Sequence, residues 1–403
     1  MNGNDYSIIK AANRTLILNT IAEFGPISVI DIIRRINLSR PTVETLMREL
    51  LQNGVIGKSG TIQRRMGVGR TAQLYDIGNN RYFSIGVDFE VPTIRLAVIN
   101  LKMQIVYYVS WTCDEIKTVD KVIEKLIAEI HHAINIVCTQ VESDRQIVGI
   151  GIGICGQLDL KNKVSLRVER INGWTNIKLA EILRKEFDVP VSMRNDVHML
   201  SIVKKEERLR ANVRDYIYVS LRSGIGMALF MKGELFTGML GNAGFLGHTT
   251  VNYSGPLCRC GNYGCLEAYL HPQQLVSAYS LLTHDHITYE HFYEEFVQLN
   301  TNAVAVMREA FVILGKAIGN VVKIIDINNI VLNGLPLDHK ELIMSWISEG
   351  LHAMTIDAIY KNIHIEDESM QAEDAAKGGA MLMIRKFFAD PKLFLSPEIP
   401  YTN

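Results

Sequence analysis

The chain has 403 residues, of which 48% are hydrophobic and 21% are charged, and its formal net charge is −1. That length allows two or three domains with sizeable cores, and the near-zero charge excludes a chain-wide preference for nucleic acid or membrane surfaces. The N-terminus lacks a basic start followed by an apolar core, and no apolar run approaches the roughly 18–20 residues that cross a bilayer. We therefore expect a cytoplasmic protein with no membrane partner.

The first 80 residues differ in charge from the rest of the chain. They contain ten Lys/Arg and six Asp/Glu, a balance of +4, which leaves −5 for the remaining 323 residues. A modestly basic head on an acidic body is compatible with a head that meets phosphate groups.

Three helices are predicted in this head. Residues 15–21 begin a helix that should end at Gly25-Pro26, a helix-terminating pair. Ser28 is a candidate N-cap for a second helix that runs to about residue 35. Ser39 is a candidate N-cap for the third, whose first turn tolerates Pro41. The i, i+3, i+4, i+7 spacing of apolar residues predicts the buried face of the third helix: Val43, Leu46, Met47 and Leu50.

The sequence of residues 58–75 indicates a two-stranded ribbon whose tip is rich in arginine. Three helices followed by such a ribbon indicate a winged helix-turn-helix, in which the third helix reaches base edges in the major groove and the wing meets phosphates or the minor groove. The alternative is a small helical bundle used for protein contact. Arg40 is the best candidate for a guanine contact. The candidate DNA-binding residues are Ser39, Arg40, Thr42, Thr45 and Arg48 on the helix and Arg64, Arg65 and Arg70 in the ribbon.

The remainder of the chain predicts two related α/β lobes. Three strands near residues 84–109 form a plausible antiparallel meander, and a helix and the apolar strand 147–154 follow. A second round of strands and helices begins near residue 216. A repeated order of this kind favours two lobes with a cleft between them, where Gly-rich turns at strand ends bind small ligands.

A cluster of three cysteines and one histidine predicts a metal site. Half of the six cysteines fall within eight residues, and a histidine lies ten residues before the first of them. This spacing can close a tetrahedral Cys3His shell for a structural Zn²⁺ ion, whereas the alternative is a chance cluster in a buried loop. The candidate ligands are His248, Cys258, Cys260 and Cys265.

The same stretch, from Gly247-His248 to Cys265-Leu266-Glu267, resembles the signature of the ROK family of bacterial repressors and sugar kinases. The resemblance extends to residues 151–159, 173–176 and 372–383. The winged-helix head matches the repressor branch. The resemblance implies the two-lobed, actin-like ATPase (ribonuclease H-like) α/β fold. We expect a winged helix-turn-helix head at residues 1–80 and a first lobe at residues 81–197 plus 375–403. The second lobe is expected at residues 198–374 and would contain the zinc loop.

The resemblance also implies a sugar site, because family members bind sugar hydroxyls through amide, carboxylate and imidazole groups. The implied sugar-binding residues are Gly156, Asn195, Asp196, His248 and Glu267. One departure concerns Phe245, which stands where sugar-binding members carry a glutamate. Phenylalanine cannot accept a hydrogen bond, so the sugar differs in one hydroxyl, binds weakly or not at all, or stacks on the ring.

The nucleotide-binding turns of the family's kinases are altered in this chain. Glu90 replaces a glycine of the first turn, Pro92 removes an N–H donor, and two later turns, at residues 221–226 and 333–334, each lack a glycine. We therefore predict no catalytic residues and a sugar-responsive transcriptional regulator of carbohydrate metabolism genes. Its partners would be a double-stranded DNA operator and a small sugar effector, and it would act as a homodimer or homotetramer. The alternatives are a sugar kinase and a repressor that has lost its sugar response.

Overall fold

The computed structural model describes residues 3–62, 71–78, 80–113, 118–139, 145–168 and 170–390. The chain divides into two compact units, Met1–Val203 with Ala372–Asn403, and Lys204–Gln371. The first unit contains the head (residues 3–78) and a first lobe (residues 80–203 and 372–390), and the second unit is the second lobe.

The head consists of three helices and a three-stranded antiparallel sheet in the order β1-β3-β2. Its elements are α1 (Gly3–Phe24), β1 (Ile27–Ser28), α2 (Val29–Arg35), α3 (Arg40–Gln52), β2 (Ile56–Ile62) and β3 (Ala72–Ile77). The predicted helix ends and the buried face of α3 are confirmed. The start of α1 was predicted too late, and β1 was not predicted. The wing tip with Arg64, Arg65 and Arg70 lies outside the described residues.

Local hydrogen bonds explain where the second and third helices start. The Ser28 hydroxyl accepts from the Asp31 backbone N–H at 3.3 Å, and the Ser39 hydroxyl accepts from that of Thr42 at 3.4 Å. Both caps satisfy a donor that the first helical turn leaves unpaired. The sequence-predicted N-caps are therefore observed.

The first lobe is built on a five-stranded mixed sheet in the order β11-β7-β4-β5-β6. The antiparallel strands are β4 (Tyr82–Glu90), β5 (Thr93–Asn100) and β6 (Ile105–Thr112), and β7 (Gln146–Ile154) and β11 (Val191–Asn195) run parallel to β4. A small antiparallel sheet contains β8 (Gln157–Asp159), β9 (Val164–Arg167) and β10 (Thr175–Ile177). The helices are α4 (Val119–Thr139), α5 (Leu179–Phe187), α6 (Asp196–Ile202) and α14 (Asp374–Ala389).

Helix α14 packs on this sheet unusually closely. A Cβ atom at Gly86 would lie 1.7 Å from the Ala376 carbonyl oxygen, and one at Gly151 would lie 2.0 Å from that of Gly379. Side chains at these positions would push the helix off the sheet, so glycine permits the contact between the two backbones.

The head and the first lobe share one hydrophobic core. Ile17 and Ile21 of α1 belong to the same buried cluster as Tyr82 of β4 and Ile384 and Phe387 of α14. The Thr15 hydroxyl donates to the Phe388 carbonyl at 3.0 Å, and the buried Arg14 donates to that of Asp390. Helix α1 therefore satisfies carbonyl groups at the end of α14 and packs against its apolar face.

The second lobe repeats the mixed-sheet pattern in the order β14-β13-β12-β15-β16. Its strands are β12 (Tyr216–Leu221), β13 (Ile225–Met231), β14 (Glu234–Phe236), β15 (Asn329–Asn333) and β16 (His364–Asp367). Its helices are α7 (Lys205–Arg210), α8 (Glu267–Leu270), α9 (Pro272–Thr283), α10 (Tyr289–Val297), α11 (Thr301–Ile325), α12 (Lys340–Met354) and α13 (Asp357–Tyr360), with a 3₁₀ turn at Leu246–His248. Among the described residues, no helix has the length and apolar character needed to cross a membrane.

Candidate functional site

The four predicted metal ligands converge in the second lobe. One ligand atom from each of His248, Cys258, Cys260 and Cys265 lies within 4.8 Å of the others. The Cys258 Sγ is 3.7 Å from the His248 Nδ1, and the Cys260 Sγ is 3.6 Å from the Cys265 Sγ. Three thiols and one imidazole at these separations could hold one metal ion.

The loop folds tightly enough for this convergence because its backbone pairs with itself. Isolated β-bridges join Thr250 to Cys265 and Leu257 to Tyr263. Gly264 adopts a φ of 68°, and a Cβ atom there would lie 1.6 Å from the Asn252 carbonyl oxygen. A larger residue at this position would open the turn that brings Cys265 to the other ligands.

Burial changes the acidity of the clustered thiols. Burial and hydrogen bonding to the neighbouring thiols raise the pKa of Cys265 to about 12, and burial raises the pKa of Cys258. Both thiols are therefore neutral near pH 7 until a cation is present. A bound metal ion deprotonates coordinating thiols, so metal binding would release protons.

Residues 248–267, which we call the metal loop, contain the four candidate metal ligands and end at Glu267. The side chain of Glu267 is 12% exposed. The Ile225 backbone N–H donates to the Glu267 Oε2 at 3.2 Å, and the Arg259 Nη2 donates to the Oε1 at 3.3 Å. A Cβ atom at position 224 would lie 2.7 Å from the Oε2, so Gly224 leaves room for the carboxylate. Each oxygen of Glu267 therefore has a protein partner.

Phe245 lies beside the candidate metal ligand His248. The two ring centroids are 6.1 Å apart, with an interplanar angle of 44°. The Phe245 carbonyl accepts from the His248 backbone N–H at 3.1 Å, which closes the short 3₁₀ turn. The second lobe therefore presents an aromatic ring where the sequence resemblance implies a carboxylate.

The other implied sugar-binding residues lie in the first lobe, at the carboxyl ends of β7 and β11. Asn195 caps α6 by accepting from the Val197 backbone N–H at 3.1 Å. Asp196 is the first residue of α6 and is buried. Gly156 has a φ of 96°, and a Cβ atom there would lie 2.1 Å from the Arg167 carbonyl oxygen. The structure thus brings Asn195 and Asp196 together, whereas His248 and Glu267 belong to the second lobe.

A charged cluster that the sequence analysis missed occupies the hairpin between β4 and β5. The Arg95 Nη1 lies 2.9 Å from an Asp88 carboxylate oxygen and 2.8 Å from a Glu90 oxygen, and all three side chains are largely buried. Arg95 is directly opposite Asp88 in the antiparallel register. Pairing residues across the two-residue turn Val91-Pro92 would have found this contact from the sequence. The turn between β4 and β5 corresponds to the first nucleotide-binding turn of the family's kinases. Its carboxylates, Asp88 and Glu90, both pair with the guanidinium of Arg95.

Cys155 lies near the same carboxylates. Burial raises the pKa of its thiol to about 12, and the charges of Asp196, Asp88 and Glu90 act in the same direction. The thiol is therefore neutral and unreactive as a nucleophile at physiological pH.

The start of α3 presents the predicted DNA-reading residues. Ser39, Arg40, Thr45 and Arg48 are exposed, and Thr42 is half-buried. The Arg40 Nε lies 2.8 Å from a Glu44 carboxylate oxygen, one turn further along. The hydroxyls of Ser39 and Thr42 are 2.7 Å apart. These side chains form one polar surface opposite the buried face of the helix.

The fold and these sites define a class of protein in which a winged helix-turn-helix precedes two actin-like lobes. A winged helix-turn-helix DNA-binding model matches residues 12–56, and the ROK family model matches residues 84–386. The second match covers more than half of the chain, and the chain belongs to the ROK family.

Individual relatives support the same class. The chain is 25% identical to the xylose repressor of Caldicellulosiruptor bescii over 403 residues, covering 96% of this chain and 99% of the relative. It is similar to the crystal structure of a ROK family transcriptional regulator, a homologue of the E. coli MLC protein, with 22% identity, a TM-score of 0.80, and 96% and 98% coverage of the two chains. A ROK hexokinase from Thermus thermophilus has 22% identity, a TM-score of 0.63, and 74% and 97% coverage. These two likenesses confirm the predicted fold.

Proposed function

We propose that this chain is a DNA-binding transcriptional repressor of carbohydrate metabolism genes whose two lobes bind a sugar effector and perform no catalysis. The observation that carries the proposal is the head. Its third helix starts with exposed polar residues that a serine N-cap holds in place, and its core continues into the first lobe. A full-length similarity to a xylose repressor supports the same function.

DNA recognition belongs to α3 and the wing. The first residues of a recognition helix contact base edges, and arginine can donate two hydrogen bonds to guanine. Arg40 and Arg48 are exposed on the polar surface of α3, and Ser39, Thr42 and Thr45 complete it. Arg64, Arg65 and Arg70 of the wing are proposed to contact phosphates or the minor groove.

The proposed sugar-binding residues are Gly156, Asn195 and Asp196 in the first lobe and His248 and Glu267 in the second lobe. Asp196 and Glu267 accept hydrogen bonds as charged groups, which are stronger than neutral ones. The effector would act on DNA affinity by binding one conformation of the protein better than the other.

A structural Zn²⁺ ion is the proposed occupant of the Cys3His cluster. Three sulfur ligands and one imidazole nitrogen are the donor set of many structural zinc sites, and such sites leave no open position for catalysis. The ion would hold residues 248–267 in the conformation that places Glu267. Its binding would also displace the protons that burial otherwise keeps on the thiols.

Sugar kinase activity is disfavoured by the hairpin between β4 and β5. ATP phosphates bind to backbone N–H groups. Here Glu90 stands where the family's kinases carry a glycine of the first turn, and Pro92 has no N–H to donate. A phosphate at this hairpin would therefore meet one added carboxylate and lose one donor.

Two copies of the chain would bind one operator. A single winged helix contacts few base pairs, whereas two heads related by a two-fold axis read half-sites about one DNA turn, roughly 34 Å, apart. We therefore propose a homodimer or a homotetramer, measurable by light scattering of the metal-loaded protein.

The proposal is tested by fluorescence anisotropy of the full-length protein on DNA fragments from upstream of its own gene and of neighbouring genes. We expect one fragment to bind at least a thousandfold more tightly than a scrambled sequence of equal length, as specific protein–DNA complexes do. Equal binding to all fragments would contradict sequence-specific repression. ATP-dependent phosphorylation of a sugar by the same preparation would contradict the non-catalytic assignment.

A further inference from the structure

Arg259 is an exposed cation held next to the proposed sugar-binding carboxylate. It lies between Cys258 and Cys260, two of the four candidate metal ligands, so a bound ion would fix its backbone on both sides. Its side chain is 43% exposed, and its Nη2 lies 3.3 Å from the Oε1 of Glu267. The guanidinium has five N–H donors, and the bond to Glu267 uses one of them.

The acidic character of the second lobe's site is reduced in two ways. Phe245 supplies an uncharged ring beside His248, and Glu267 is paired with Arg259. The three side chains at 245, 259 and 267 therefore have a formal charge of zero. With a glutamate at 245 and an uncharged residue at 259, the formal charge of these three side chains would be −2. Such a site suits a neutral sugar, whose hydroxyls need hydrogen-bond acceptors.

We propose that the effector is a sugar with an anionic group, either a phosphate or a carboxylate, and that Arg259 binds this group. The inference rests on the proposed function and identifies the chemical class of its effector. Arginine matches both anions because its planar donors form two parallel hydrogen bonds with them. Glu267 orients the guanidinium through its Oε1, while its Oε2 is held by the Ile225 N–H.

Phe245 fits the same effector. Its ring cannot accept from a hydroxyl, and it carries no charge that would repel an anion. It offers an apolar surface for the C–H face of the sugar. Phe245 is the N-cap of the 3₁₀ turn Leu246–His248, which ends at one candidate metal ligand, and Arg259 lies between two others.

The test is direct binding of matched sugars to the full-length, zinc-loaded protein by isothermal titration calorimetry. The matched sets are glucose, glucose 6-phosphate and glucuronate; N-acetylglucosamine and its 6-phosphate; and xylose and xylonate. Inorganic phosphate and acetate measure binding of the anion alone. In at least one set, we expect the anionic sugar to bind about ten- to a hundredfold more tightly than its neutral counterpart. Phosphate-only or carboxylate-only preference identifies the anion.

Two variants separate anion binding from a purely structural role of Arg259. Arg259→Gln should abolish the preference for the anionic sugar while retaining one zinc per chain, and Arg259→Lys should keep part of it. Arg308→Gln, which removes an exposed arginine paired with Glu349 on α11 of the same lobe, should leave the preference unchanged.

The outcomes also distinguish this inference from the proposed function. Equal or tighter binding of the neutral sugar, or a preference that survives in Arg259→Gln, overturns the anionic-effector inference and leaves a sugar-responsive repressor intact. Binding of no sugar from any set contradicts both the inference and the sugar response. Specific DNA binding, measured separately, tests the repressor itself.

Discussion

Arg40 is the first residue of α3, and its side chain is 68% exposed while it pairs with Glu44. Replacing it with alanine should weaken binding to the specific operator by about ten- to a hundredfold, since a bidentate contact to guanine contributes about 1–3 kcal/mol of discrimination. Binding to a scrambled duplex should fall by less than about threefold, because a single phosphate contact contributes little. Anisotropy titrations on both duplexes measure the difference.

The matched control for Arg40 is Arg34 on α2, which is also 68% exposed and also pairs with an acidic residue, Asp31. Arg34→Ala should change both titrations to a similar, small extent. If Arg40→Ala weakened the two duplexes equally, Arg40 would be a phosphate contact and would not read sequence.

Arg95 stabilises the first lobe because Asp88 and Glu90 are buried beside it. Arg95→Gln leaves two carboxylates with less compensation, and breaking a buried ion pair from one side costs about 3–5 kcal/mol. Urea unfolding of the full chain should show a loss of that order. Arg308→Gln, at an exposed pair, should cost about 1 kcal/mol or less. If Arg95→Gln lowered the free energy of unfolding no more than Arg308→Gln does, the cluster would contribute little to stability.

The sequence was informative for residues with local partners and less so for residues with distant ones. Ser28 and Ser39 were predicted as caps because a cap interacts with the next few residues of its own helix. Arg95 was missed because its partners lie across a strand pair and no motif marks them. The pairing of Arg259 with Glu267 was also missed, although only eight residues separate them, because their contact depends on how the metal loop turns.

At the scale of elements, the metal loop brings the four candidate metal ligands together. Residues 249–266 are joined by turn hydrogen bonds and two isolated β-bridges and form no continuous helix or sheet, so the proposed metal would add to their stability. Cys260→Ser should lose the metal and loosen this loop, which removes the support of Glu267. Elemental analysis and amide hydrogen exchange of residues 249–267 measure both effects. The control Cys138→Ser changes a cysteine on α4 outside the cluster and should keep the metal. Full metal content in Cys260→Ser would contradict the assignment.

Long periodic helices and alternating strands were predictable as elements because their patterns extend over many residues. The apolar spacing of α3 and the meander β4–β6 were both recognised. Helix α1 was predicted to start twelve residues too late because the apolar run at residues 15–21 was taken as its beginning. Strand β1 has two residues, too few for a pattern, and it exists because β3 pairs with it.

At the scale of the whole molecule, the head is continuous with the first lobe rather than separate from it. Ile17 and Ile21 are fully buried in a core that also contains Phe387 and Tyr82. A fragment of residues 1–80 would expose this apolar surface. It should therefore lack a cooperative thermal transition by circular dichroism, whereas the first unit, with residues 1–203 linked to 372–403, should unfold in one transition. A cooperative transition in the fragment alone would show that the head is an independent domain.

This shared core would connect the first lobe to the head in the proposed response to a sugar. Helix α14 begins where the chain returns from the second lobe, packs backbone to backbone on β4 and β7, and ends against α1. We expect that a displacement of α14 would also displace α1, because the two helices share a core.

The central claim is that a sugar controls specific DNA binding by this chain. It is tested most directly by titrating sugars, neutral and anionic, into the preformed complex of the zinc-loaded protein with its specific duplex, followed by anisotropy. We predict that one sugar releases the duplex at least tenfold more effectively than its epimers, and that Asp196→Asn weakens this release without weakening DNA binding. A specific complex that no sugar dissociates would contradict the claim and identify a repressor without a sugar response.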